Sequence, residues 1–384
     1  MSTPFLEDVR AFVKEHVLGR EAYFDDHEAM PPLPVFGAMH ERKLLHWWIP
    51  AAYGGRGLAI SDGVDVLAEL AYGDPGLACT VPPTLLGSMP IVLWGTEEQK
   101  QRFLRPMAEN GGFAAMLGSE RGAGSELLRT ETAAEKDGDH YVITGDKFFA
   151  SNAEHADFWV VLARAKDPPQ FKAIIVPRGT PGATVVKRWP TIGIRACTTY
   201  QTRFEGCRVP ANLVLPVHGL RALEASLNAS RALLAASVVG AARRMRDLCL
   251  AYAKQKPLKN ATLLDSPVFA AKLGQIEMEI EAMYQICKTA AREFDESTAT
   301  EDGRKRMLKA GTLKSAIVAK MLCGQLGYRI AAETSTMFGG LGYTDESLIG
   351  KLVRDVRCAS IIEAGDDVLR ELMFHRYARS NTPA

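Results

Sequence analysis

No Cys-x-x-Cys pair occurs in this sequence; its seven cysteines, Cys79, Cys197, Cys207, Cys249, Cys287, Cys323 and Cys358, are scattered along 384 residues. An odd, dispersed set argues for reduced thiols in a cytoplasm and against a zinc site, so no metal is expected. Charge of one sign is lacking as well: 46 Lys and Arg stand against 45 Asp and Glu, a net charge of +1. That balance offers no global field for a nucleic acid or an anionic membrane. No apolar run approaches the ~18 residues of a membrane span. The first twenty residues are interrupted by Glu7, Asp8, Arg10, Lys14 and Glu15, which predicts an amphipathic helix rather than a signal peptide. Internal repeats and low-complexity tracts are also missing.

What is present falls into three stretches. From Thr3 to about Asn110 the apolar spacing is helical, as at Phe5, Val9, Phe12, Val13 and Val17, with a break expected at Pro31, Pro32 and Pro34. From there to about Pro216 come short segments, mostly rich in β-branched and aromatic residues, separated by turns such as Asp137-Gly138-Asp139. They predict a small antiparallel β-barrel. From about Leu220 the helical period returns in longer segments, Leu220–Lys254, Pro267–Glu296, Arg304–Met337 and Asp367–Arg379, which predict a four-helix bundle. The fold class is α+β, with domains at 1–112 (helical), 113–216 (β-barrel) and 217–384 (helical bundle).

Three segments carry candidate chemistry. Met116-Leu117-Gly118-Ser119-Glu120, with Gly122, Gly124 and Ser125, leaves backbone N–H groups open to a flat or anionic ligand. It matches neither the dinucleotide fingerprint nor a Walker loop, and an ordinary surface loop is the alternative. In Gly145 to Asn152, Phe149 and Ser151 share a strand face, so the ring can stack on a planar ligand while the hydroxyl bonds its edge. A core Phe with a turn Ser is the other reading. Third, Glu363 follows Ile361-Ile362 and precedes Ala364-Gly365-Asp366-Asp367. An apolar, close-packed setting raises a carboxyl pKa, as a general base near neutral pH requires. Alternatively Glu363 joins the two aspartates as an acidic helix cap.

These blocks, in this order and with Phe338-Gly339-Gly340-Leu341-Gly342-Tyr343 and Arg354-Asp355, closely resemble the acyl-CoA dehydrogenase family over nearly the whole chain. The resemblance implies an FAD enzyme that desaturates the α–β bond of an acyl thioester carried by CoA or an acyl carrier protein, and Glu363 falls on the base. In some branches the base lies instead at the position of Ser230, which cannot do that work. Met116, Leu117, Gly118, Ser119, Phe149, Ala150, Ser151, Gly365 and Asp367 match the cofactor side. Ser125, Asn228 and Arg231 match the substrate side. Thr336, Gly339 and Gly340 match a segment that meets the FAD of a neighbouring subunit, which implies a homodimer or homotetramer. Lys256, in Lys256-Pro257-Leu258-Lys259, stands where the family has Arg-x-x-Phe, as a point charge without the arginine fork. Ala364 and Gly365-Asp366-Asp367 replace a Gly and a Thr-x-Gln. These departures point toward secondary metabolism, with Arg243, Arg244 and Arg246 either a dock for an acidic carrier protein or a solvated helix face. The electron acceptor is expected to be an electron-transfer flavoprotein or oxygen. A flavin monooxygenase or oxidase, and a non-catalytic member of the fold, are the alternatives.

Overall fold

The computed structural model describes residues 3–26, 33–166 and 168–379. The break expected at Pro31 and Pro32 lies outside them. Pro34 sits in the first turn of the helix Leu33–Glu41, where a fixed φ and a missing N–H are tolerated.

Two long helices of the N-terminal domain pack against the C-terminal domain, α1 (Ile60–Gly73) and α2 (Val81–Trp94), with the short helix Pro75–Ala78 between them. The sequence pattern does not announce α2, because Pro82, Pro83 and Pro90 interrupt it and most of its residues are buried. A helix enclosed on all sides has no polar face to create a period.

The middle domain is β1 (Phe113–Leu117), β2 (Ala133–Asp137), β3 (His140–Ser151), β4 (Ala156–Lys166), β5 (Pro169–Pro177), β6 (Ala183–Arg188) and β7 (Thr199–Pro210). The expected antiparallel barrel is corrected to an open, mixed sheet. β1 and β2 both lie parallel to β4, while β4/β5, β2/β3, β3/β7 and β6/β7 are antiparallel. Among the described residues β5 and β6 do not pair, so the sheet never closes. Alternation within a strand reports its buried face but not the direction of its neighbour, which is why the sequence could not separate these arrangements.

The C-terminal domain is built on α3 (Gly219–Gln255), which packs against α1, α4 (Pro267–Thr298) and α5 (Lys314–Met337). Its length and apolar content would suit a membrane span, yet it is enclosed by these neighbours. Small residues set the spacing: a Cβ on Gly240 would lie 2.1 Å from the Ala68 carbonyl oxygen of α1. The helix expected over Arg304–Met337 is cut at Gly311, whose φ of 76° ends Glu301–Ala310 before α5 begins. α6 (Leu348–Val356) was not anticipated, and the last helix, α7 (Asp366–Met373), is shorter than expected, passing into a wider turn at Phe374–Ala378.

A buried charge cluster fastens the domains together. Lys351 of α6 pairs with Asp355 on its own helix and, at 2.6 Å, with Asp74, which caps the short helix Pro75–Ala78. Asp355 also accepts a hydrogen bond of 2.6 Å from the Ile194 backbone N–H in the loop after β6. In the same loop a Cβ on Gly193 would lie 2.4 Å from the Arg354 carbonyl oxygen, so only glycine permits the β domain to seat this closely on α6.

Candidate active site

Between the sheet, α2, α3 and the turn before α7 lies a cavity of about 950 Å³. Met116, Gly118, Ser119, Ser125, Phe149, Ser151, Arg231 and Glu363 all line it, so residues far apart in the chain converge on one space.

On the sheet side, the β3–β7 register shifts between Lys147 and Ala150, and Phe149 takes a φ of 56°. This bulge turns an aromatic ring outward; 61% of Phe149 is exposed, against the Trp189 ring at 5.1 Å. Ser151 reaches the same cavity, its hydroxyl 3.1 Å from that of Thr199. The Met116–Ser119 edge is held from beneath by Lys147, fully buried, which donates to the Gly118 carbonyl at 2.9 Å and to Glu120 at 2.7 Å. Glu120 in turn accepts the Glu131 and Thr132 N–H groups.

Opposite stands Glu363. Ser230 of α3 donates its hydroxyl to Glu363 Oε1, while Oε2 is enclosed and has no partner among the described residues. Burial pushes this carboxyl above its usual range, against the Ser230 hydrogen bond and the charges of Arg231 and Lys320. The cap alternative is therefore set aside: Gly365 occupies the N-cap of α7, and the Glu363 side chain points back to α3. Glu363 and Ala364 both adopt left-handed backbone, at φ of 56° and 79°. Arg231 donates to the Glu363 carbonyl at 3.0 and 3.2 Å, and Lys320 donates to the Ala364 carbonyl at 2.6 Å. Ala364→Gly removes about 1–2 kcal/mol of left-handed strain against about 0.4–1 kcal/mol of added chain entropy. It is expected to stabilise the protein by up to about 1.6 kcal/mol, read as a higher urea midpoint at unchanged m-value.

Other expected residues lie elsewhere. Leu117 and Ala150 are buried in the sheet behind the wall. Gly365 borders the site, its N–H donating to Ser125 Oγ at 3.3 Å, and Asp367 points away to pair with Arg370 at 2.6 Å. Asn228 is corrected to a structural role: fully buried, it donates to the Gly311 carbonyl and accepts the Leu313 N–H, bridging the break before α5. Lys256, Thr336, Gly339 and Gly340 are exposed and off the cavity. The arginine cluster is absorbed within the chain: Arg244 pairs with Glu21, Arg246 with Asp247 and Glu277, and Arg243 lies over the Tyr284 ring. Sequence reasoning missed Thr199 and three thiols on the wall, Cys79, Cys197 and Cys358. It also missed Lys320, whose one signal is a lysine on the face that buries Ala316, Ala319 and Cys323.

An exposed aromatic ring at Phe149, hydroxyls beside it and an enclosed carboxylate on the same cavity suit a planar redox ring with a substrate between. Three family descriptions cover the chain: acyl-CoA dehydrogenase N-terminal domain at residues 3–111, middle domain at 115–207 and C-terminal domain at 217–378. The chain belongs to the acyl-CoA dehydrogenase family. It is an oxidoreductase acting on acyl thioesters. Among relatives, a probable acyl-CoA dehydrogenase of Bacillus subtilis (strain 168) is 30% identical over 95% of this chain and 94% of its own. The structure of butyryl-CoA dehydrogenase from Megasphaera elsdenii aligns at a TM-score of 0.87 and 26% identity, covering 98% of this chain and 97% of that one. An acyl-CoA dehydrogenase from Bacillus anthracis, solved with FAD, aligns at 0.90 and 25% identity, over 99% of this chain and 67% of that one.

Proposed function

We propose that this family member is an FAD-dependent α,β-dehydrogenase of acyl thioesters with Glu363 as its base. The observation that carries this is the unpartnered Glu363 Oε2, enclosed on the wall of the cavity that the exposed Phe149 ring also lines. The residues present fit FAD: Phe149 offers a ring face, Ser151 and Thr199 offer hydroxyls, and Gly118–Ser119 give an edge without bulky side chains. Bound FAD would supply the acceptor for the β-hydride. The chain's part is to hold the α-carbon against Glu363, whose Oε2 takes the α-proton while Ser230 keeps Oε1 oriented. An enclosed carboxylate is less stabilised by water, so its proton affinity is higher at the moment of transfer.

Pro82, Pro83, Leu86, Leu227 and Leu234 form an apolar part of a lining that also carries Glu224 and Arg357, which supports an apolar acyl group. With Arg244 and Arg246 committed to internal pairs, a carrier-protein dock on that face has less support, so CoA is the carrier proposed. A homodimer or homotetramer is supported by the exposed Leu341 and Tyr343, the latter 95% exposed, beside Gly339 and Gly340.

The test is anaerobic mixing of the FAD-reconstituted protein with acyl-CoA and with acyl-carrier thioesters of varied chain. Loss of the oxidised flavin absorbance with an apolar acyl-CoA is expected. A protein that takes up no flavin, or whose flavin no thioester bleaches, refutes the proposal.

A further inference from the structure

We infer that Lys320 is a positioning residue for Glu363, acting with Asp366 as a charged latch beneath the turn that carries the base; this rests on the proposed role of Glu363. Lys320 lies on α5, and its side chain is fully buried. Its ammonium donates to the Ala364 carbonyl at 2.6 Å and meets Asp366 Oδ1 at 3.2 Å. Asp366 is anchored further by Gln325 Nε2 at 3.3 Å. From the other side, α3 supplies Arg231, which grips the Glu363 carbonyl, and Ser230, which grips the carboxylate. Two consecutive left-handed non-glycine residues thus have each carbonyl held by a buried cation. Such backbone persists only where its surroundings over-determine it.

The latch has two separable effects. Its hydrogen bond fixes the Ala364 carbonyl and hence the direction in which the preceding side chain leaves the turn. Its charge works in Glu363's favour as an anion, opposing burial, and Asp366 offsets part of that charge. The charged and hydrogen-bonding groups that act on Glu363 are Ser230 and Arg231 from α3 and Lys320 from α5, and Asp366 at the start of α7 reaches it through its pairing with Lys320. Removing the cation therefore raises the Glu363 pKa, and removing Asp366's charge lowers it. Opposite signs from two partners of one ion pair are not the mark of generic destabilisation.

Three variants read this out: Lys320→Met, Lys320→Gln, which keeps an amide donor without the charge, and Asp366→Asn. Infrared difference titration of each against the same protein carrying Glu363→Gln follows the carboxyl directly and needs no turnover. The Glu363 pKa is expected to rise by about one unit in Lys320→Met and Lys320→Gln, and to fall in Asp366→Asn. In thioester-driven flavin reduction, Lys320→Met is expected to lose on the order of 10–100-fold in rate at saturating substrate, as for a misaligned group. Lys320→Gln is expected to regain part of that loss. Circular dichroism and flavin content confirm that each variant folds, and a Lys320→Met that does not fold leaves Lys320→Gln and Asp366→Asn to decide. One carboxyl pKa common to wild type and the folded variants overturns the latch, even with dehydrogenation intact. Shifts of the expected signs in a protein that dehydrogenates no thioester sustain the latch and refute the assigned reaction.

Discussion

Glu363→Gln keeps flavin and thioester bound but slows flavin reduction by roughly 10²–10⁴-fold, the span over which a positioned general base contributes. The amide has the shape of the carboxyl and can still accept the Ser230 hydroxyl, so the cavity wall is preserved. What it lacks is a lone pair basic enough to take an α-proton. The pH dependence has a definite sign. Burial raises the folded carboxyl pKa above the ordinary 4.5. The wild-type rate therefore falls as pH drops through that raised value, and the variant's residual rate loses this limb. Stability moves the other way. A carboxyl whose folded pKa exceeds its unfolded one lends most stability at low pH, and that contribution is lost as pH rises through the folded value. At neutral pH the wild type carries this cost and the glutamine does not, so the thermal midpoint of Glu363→Gln is expected to be higher. Full-speed flavin reduction by the variant, or an identical acid limb, counts against Glu363 as the base.

The largest loss of stability is expected from Lys351→Met, about 3–5 kcal/mol, because it strands two buried carboxylates. Asp74 and Asp355 are both fully buried and both pair with that one ammonium, whose pKa they push up against the pull of burial. Burial already pushes the Asp74 carboxyl up against the pull of Lys351, so without that ammonium its folded pKa lies further above the unfolded one. The penalty is then greatest at neutral pH and shrinks as pH falls and Asp74 protonates. Urea midpoints of wild type and variant should accordingly converge between pH 7 and pH 5. Lys351→Met combined with Asp355→Asn should lose less than Lys351→Met alone plus Asp355→Asn alone, since the two changes share one network. The cluster also holds the loop at Gly193–Ile194, which lines the cavity, so weaker flavin retention is expected to accompany the loss. Equal midpoint differences at both pH values would remove the stranded-charge explanation.

The convergence of Phe149, Ser151 and Glu363 was legible because each sits in an ordered block of sequence whose chemistry suits a flavin and a thioester. Asn228 shows the limit of that reasoning. It occupies a position read as substrate-facing, yet Gly311 breaks the helix expected over Arg304–Met337 and the freed backbone groups claim its amide. A local backbone decision elsewhere in the chain redirected a side chain 83 positions away. The arginines of α3 were likewise assigned to solvent or a partner, because their acids, Glu21 and Glu277, come from segments whose approach the helical period does not encode.

By itself the sequence determined the order of helical, β and helical domains, since the period of apolar residues is a local property of each segment. It also determined that a lone glutamate between an apolar pair and a small-residue turn was the group to watch. The tertiary structure decided what surrounds that glutamate. Strand direction left the sheet open, close approach at Gly193 brought the β domain onto α6, and the packing of α3 and α5 set Ser230, Arg231 and Lys320 around one turn. Desolvation and buried charge depend on neighbours brought from far along the chain, so the raised pKa that suits Glu363 to the proposed role of base exists only in the fold.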